Sequence, residues 1–220
     1  MSEKPILFNT DMVQAILEDR KTVTRRLPSK VIENKWYEYD EYVSAVMPND
    51  IVCVRLYEKE FYEQYPPYQV GDILYVRETW KVKSAWSGSY SGCEIEYKAG
   101  GSKTFDSVIK LPDKKWHPSI HMPKEAARIW LKVINVRVER LQDITVDGCK
   151  AEGIYDDYKT LSPEYHDMLM EKAYPDTFKK LWNSTIKKQE LDSYGWDSNP
   201  WVWVIEFERI EREVQSGSCE

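Results

Sequence analysis

The sequence predicts an α+β fold built on a small mixed β-barrel with flanking helices, and three observations lead there. Short runs of β-branched and aromatic residues follow one another too closely for repeated strand–helix–strand crossovers. A strand-helix unit opens the chain and an aromatic strand, Trp201 to Glu208, closes it. Its 220 residues suit one barrel domain without forcing a split. The chain therefore reads as one unit, 1–220, with insertions at 27–68 and 155–198.

Pro5 to Asn9 is an apolar run suited to a first strand, with Thr10 as helix N-cap and Asp11 in the first turn. Met12, Val13, Ile16 and Leu17 then fall at helical spacing. That helix should end near Asp19-Arg20 and release Lys21 to Arg26 as an extended or irregular stretch. Within 27–68 one strand is predicted, Asp50 to Tyr57, where Val52, Val54 and Leu56 alternate with Cys53 and Arg55. Gly71-Asp72 is a turn before a strand from Ile73 to Trp80, and Glu94 to Tyr97 is a further strand between glycines. Ala127 to Leu141 forms the longest strand, with a change of phase at Ile134-Asn135 that suggests a bulge. Asp143 or Thr145 caps a short helix carrying Cys149, Ala151 and Glu152 and stopped by Gly153. Ser162-Pro163 opens another helix, which Pro175 should interrupt.

Composition narrows the classes. Thirty-one Lys+Arg against 37 Asp+Glu give a net charge of −6, which opposes general attraction to nucleic acid and restricts any such contact to a local patch. Four dispersed cysteines lack zinc-ligand spacing and a disulfide framework, and resemble cytosolic thiols. No leader and no run of the ~20 apolar residues needed to cross a bilayer is visible, so a cytoplasmic location without membrane contact is expected. His117 and His121 lie in a proline-bounded stretch with no third ligand evident, so no metal is expected and a pocket-lining loop is the better reading.

The densest chemistry lies between Arg20 and Arg26, where four cations and two threonines fall within seven residues. A solvated helix C-terminus explains such cations. An extended segment instead sends Thr22, Thr24 and Arg26 to one side and Lys21, Val23 and Arg25 to the other, and only an irregular backbone joins Lys21 to Thr24. Lys21 as a base at neutral pH would need its pKa lowered by about three units, roughly 4 kcal/mol, and burial with Arg neighbours pushes that way. Arg77-Glu78-Thr79-Trp80 reads equally as an ion pair beside a core tryptophan or as a substrate-binding strip. Most of the nine tryptophans belong to the core by default.

Lys21-Thr22-Val23-Thr24-Arg25-Arg26, the later Gly71-Asp72 strand, Arg77-Glu78-Thr79-Trp80, Pro118 to Pro123 and the closing Ile205-Glu206-Phe207 together resemble the ASCH family of the PUA-like superfamily, in a long form common in phages and prophages. The resemblance spans Pro5 to about Glu208. It implies a small barrel with a cleft for RNA or a nucleobase. Within that family, small amidohydrolases cleave N4-acetylcytidine with a lysine, a threonine and a glutamate, and Lys21, Thr24 and Glu152 occupy the matching positions. The implied roles are Thr24 as nucleophile, Lys21 as its base and Glu152 as proton donor to the departing amine. Thr22, Arg26, Arg77, Glu78, Trp80 and His121 are the expected substrate-binding residues. Modified nucleoside or RNA is the expected partner, with no cofactor and no obligate protein partner. A non-catalytic RNA- or modified-base-binding module is the alternative, and a ribonuclease comes third. Two departures stand out: the chain is roughly twice the length of those enzymes, and charged Arg25 stands beside the nucleophile where they carry an apolar residue.

Overall fold

A computed structural model describes residues 2–46, 51–86, 92–105, 115–155 and 163–211. In chain order its elements are β1 (Glu3–Leu7), α1 (Thr10–Leu17), β2 (Val23–Arg26), α2 (Lys30–Val46), α3 (Ile51–Glu63), β3 (Ile73–Arg77), β4 (Trp80–Trp86), β5 (Gly92–Tyr97), β6 (Ser102–Phe105), β7 (Trp130–Arg140), α4 (Val146–Ala151), α5 (Pro163–Thr185), α6 (Leu191–Tyr194) and β8 (Trp201–Ile210). The class is α+β, as expected. A closed barrel, however, does not form. The strands make a five-stranded sheet, ordered β1-β3-β7-β8-β2, and a three-stranded sheet, β4-β5-β6. Closure would need a ladder between the two terminal strands, but β2 has only four residues and β1 contains Pro5, which has no N–H to give and suits a sheet edge.

By its internal contacts the chain divides into two compact units. Met1–Asp19, Gly71–Val133 and Phe207–Glu220 make the first; Arg20–Val70 and Ile134–Glu206 make the second. Strands β7 and β8 run through both. Burial along β7 changes phase at the passage, with Leu131 and Val133 buried, Ile134 and Asn135 exposed and Val138 buried again, where the sequence suggested a bulge.

In the first unit β1 runs parallel to β3, Glu3 opposite Ile73 and Leu7 opposite Arg77, and β3 is antiparallel to β7. The predicted Gly-Asp turn is present: Gly71 has φ +89°, a conformation that glycine adopts without strain. Buried Asp72 accepts from Ser2 Oγ at 2.7 Å and Lys4 Nζ at 2.8 Å. Asn9, not Thr10, caps α1, its side chain accepting from the Met12 N–H at 2.8 Å; Thr10 instead begins the helix. The run from Ile73 to Trp80 breaks at Glu78-Thr79 into β3 and β4, which belong to different sheets. Trp80, Ile95, Tyr97, Met122 and Ala126 form one core cluster.

In the second unit the expected strand at 50–57 is corrected to helix α3, with position 50 outside the described residues. The alternation that suggested a strand also places Val52 and Leu56 four apart. Glu58, Lys59 and Glu60 then extend the segment with good helix formers. Trp36 of α2 packs on Phe61 and Tyr62 of α3, with ring centroids 5.4 and 6.2 Å apart. Helix α5 passes straight through Pro175. Proline removes the hydrogen bond to the carbonyl of residue 171, but Glu171 is exposed, and Tyr174, Phe178 and Trp182 bury one helical stripe that holds the rod together. Ser162, the expected cap, lies outside the described residues. Strand β2 is antiparallel to β8, with Thr24 opposite Ile205.

Candidate functional site

The start of the basic segment is neither helix nor regular strand. Lys21 forms an isolated antiparallel bridge with Glu152, and the Thr22 N–H donates to the Ala151 carbonyl at 2.9 Å. Helix α4 sets the position of Glu152. Thr145 is its cap, Oγ1 accepting from the Gly148 N–H at 3.0 Å. At the other end Glu152 is the C-cap and Gly153, at φ +93°, turns the chain away. Of the two caps the sequence offers, Asp143 and Thr145, the helix uses Thr145, and Gly153 follows as the stop.

Lys21 and Glu152, 131 positions apart, meet as a buried ion pair with Nζ 2.5 Å from Oε2. The ammonium also donates to the carbonyls of Val23 at 2.7 Å and Glu152 at 3.0 Å. Arg25 reaches the other carboxylate oxygen, Oε1, at 3.2 Å and Glu139 Oε2 at 3.3 Å. Burial lowers the Lys21 pKa, the Glu152 carboxylate opposes that fall, and the charges of Arg26 and Arg25 add to it. Arg26 is lowered as well, chiefly by burial. Cys149 is pushed up to about 11 by burial, which makes it an inert thiol at neutral pH.

Thr24 is 2% exposed. Strand alternation gives it the face of β2 opposite Val23 and Arg25. Thr22 is exposed and Arg26 half-buried. Val23 and Arg25 face a cleft of about 230 Å³, which Arg137, Glu139 and Glu206 also line; these three were not singled out in the sequence, because only the pairing of distant strands assembles them.

The remaining expected residues belong to the first unit. Arg77 donates through Nε to the Met122 carbonyl at 2.8 Å and through a terminal nitrogen to the Ile120 carbonyl, so it ties down the loop that follows. Glu78, 1% exposed, is gripped by Arg128 with Nε–Oε1 at 2.8 Å and Nη2–Oε2 at 2.9 Å. Its ion-pair partner is thus Arg128, a residue that sequence spacing does not reveal. Trp80 is fully buried in the core, and His121 is exposed in a 3-10 turn. Among the described residues no group of three or more His, Cys, Asp or Glu side chains is arranged to hold a metal, and no helix is long and apolar enough to cross a membrane.

The Arg128–Glu78 fork yields a stability prediction. Arg128→Ala leaves a buried carboxylate without its cation and should lower unfolding free energy by about 3 kcal/mol. Burial raises the Glu78 pKa and Arg128 opposes the rise, so without Arg128 the carboxyl takes up a proton more readily. The deficit should therefore shrink as pH falls through the raised pKa, because a neutral carboxyl is cheaper to bury. Denaturant midpoints at several pH values check this; a deficit unchanged with pH would rule out the carboxylate as its source.

No family model matches this chain, and neither a search of curated proteins nor one of solved structures finds a match.

Proposed function

We propose that the protein is an ASCH-type amidohydrolase of the PUA-like superfamily acting on an N4-acylated cytosine nucleoside, with Lys21, Thr24 and Glu152 as its catalytic residues. The observation that supports it most is the Lys21–Glu152 pair: an ammonium and a carboxyl 2.5 Å apart with side chains 0% and 4% exposed. Burying two opposite charges is costly, and desolvation narrows the gap between the charged pair and its neutral tautomer, in which the proton has moved from Nζ to Oε2.

In the neutral tautomer Lys21 accepts the Thr24 hydroxyl proton as Oγ1 bonds to the acyl carbon. The C–N bond then breaks, and Glu152 gives its proton to the departing amine, leaving Lys21 cationic and Glu152 anionic. Water attacks the acyl-threonine ester and loses a proton to Glu152, while Lys21 returns its proton to Thr24 Oγ1. The pair ends as it began, and the products are cytidine and a carboxylic acid. Arg26 is assigned to the oxyanion.

Incubation with N4-acetylcytidine, monitored chromatographically for cytidine, is the direct test; absence of turnover at high enzyme concentration would reject the reading. Turnover should follow a bell-shaped pH profile. On the alkaline side the pair loses its shared proton and Glu152 has none to donate, and because burial lowers Lys21 from 10.5, that limb should fall below pH 10.5. A rate still rising beyond that pH would contradict the shared proton.

A further inference from the structure

Six charged side chains of the second unit are linked in alternating sign. Lys21 Nζ meets Glu152 Oε2, Arg25 Nη1 meets Glu152 Oε1 at 3.2 Å, and Arg25 Nη2 meets Glu139 Oε2 at 3.3 Å. Arg137 then donates to both Glu139 and Glu206. Burial decreases along the series: Lys21, Arg25 and Glu152 are buried, whereas Glu139, Arg137 and Glu206 are half-buried.

Arg25 is the member that neither of its carboxylates needs for neutrality, because Glu152 already has Lys21 and Glu139 already has Arg137. What it adds to Glu152 is orientation and field. It takes one carboxylate oxygen and leaves the other facing Lys21 Nζ. A proton on Glu152 would weaken the attraction to a guanidinium that is always charged, so Arg25 holds the carboxylate ionised, and it also repels the Lys21 ammonium. Both effects favour loss of the proton that the pair shares. Glu139 opposes them by drawing on the same guanidinium.

The other groups around the pair do not supply this balance. Arg26, on the same strand, bears on both Lys21 and Glu152 and interacts with Tyr68. Cys149 of α4 is a neutral thiol, its pKa pushed up to about 11, and α5 presents to Arg25 the ring of Phe178, which does not titrate.

We propose that Arg25 is a positioning residue for the Lys21–Glu152 pair: it holds Glu152 Oε1 so that Oε2 exchanges the proton with Lys21 Nζ, and it biases the pair toward proton release, with Glu139 as counterweight. The catalytic consequence rests on the amidohydrolase reading; the placement of the proton does not.

The test is an NMR titration of the full-length protein labelled at lysine Cε, in which the Lys21 signal is identified by its loss in Lys21→Met. Arg25→Met should raise the pH midpoint of that signal by about one pH unit or more. Glu139→Gln removes the counterweight and should move the midpoint down, and Arg25→Lys, which keeps the charge, should restore most of the parent value. A packing role for Arg25 predicts instead an unmoved midpoint in Arg25→Met and no effect of Glu139→Gln. Arg25→Met strands no carboxylate, since Lys21 and Arg137 remain; were it nonetheless to unfold, the half-buried position 139 carries the test alone. The proposal is overturned by a parent midpoint at or above 10.5, by an Arg25→Met midpoint equal to or below the parent's, or by a Glu139→Gln midpoint that does not fall. In the N4-acetylcytidine assay the alkaline limb should follow the same two directions. Turnover with unmoved midpoints would sink the role of Arg25 and leave the hydrolase standing, whereas shifted midpoints without turnover would do the reverse.

Discussion

Thr24→Val should reduce cytidine release from N4-acetylcytidine by about 10³-fold or more. Valine keeps the shape of threonine but supplies no nucleophile, and position 24 lies in a ladder with Ile205 that depends on the backbone alone. Loss of one buried hydroxyl alters stability by only about 1 kcal/mol, so the variant should fold and an unchanged circular dichroism spectrum separates chemistry from collapse. Retained turnover would exclude Thr24 as nucleophile and move attention to an activated water at the same lysine.

Glu152→Ala carries the largest expected stability effect. It strips the carboxylate from Lys21 and from Arg25, whose side chains are 0% and 2% exposed, and leaves the enclosed Lys21 ammonium without its carboxylate and Arg25 with Glu139 alone. Breaking a pair of this kind costs about 3–5 kcal/mol. Lys21→Met in the same chain removes one stranded charge, so the double variant should recover part of the loss. A double-mutant cycle on denaturant midpoints measures the recovery; strictly additive losses would show that the two groups do not interact energetically.

The sequence disclosed what depends on local patterning. Thr145 and Gly153 delimit α4 and thereby locate Glu152, and the alternation through Ile129, Leu131 and Val133 identifies β7, because periodicity and capping act over a few residues. Other elements escaped for equally physical reasons. Strand β6, Ser-Lys-Thr-Phe, has almost no apolar pattern and is ordered by its ladder to β5. Helix α3 carries a pattern that satisfies both periods. The proline in α5 looks like a break until its buried stripe is seen. At the candidate site the resemblance names Lys21 and Glu152 as matching positions, whereas their direct ion pair, Arg25 as the second cation on Glu152, and Arg128 as the partner of Glu78 arise from contacts that only tertiary structure creates.

The pairing of Thr24 with Ile205 bears on how the molecule is made. Synthesis exposes β2 early, yet its ladder partner β8 is made only after β3 to β7, and ladders between such distant segments form slowly. The enclosure around Lys21 is therefore among the last parts to mature. Nascent chains stalled short of Trp203 should carry that lysine still open to amine-reactive reagents, well after the Trp80 hairpin has closed.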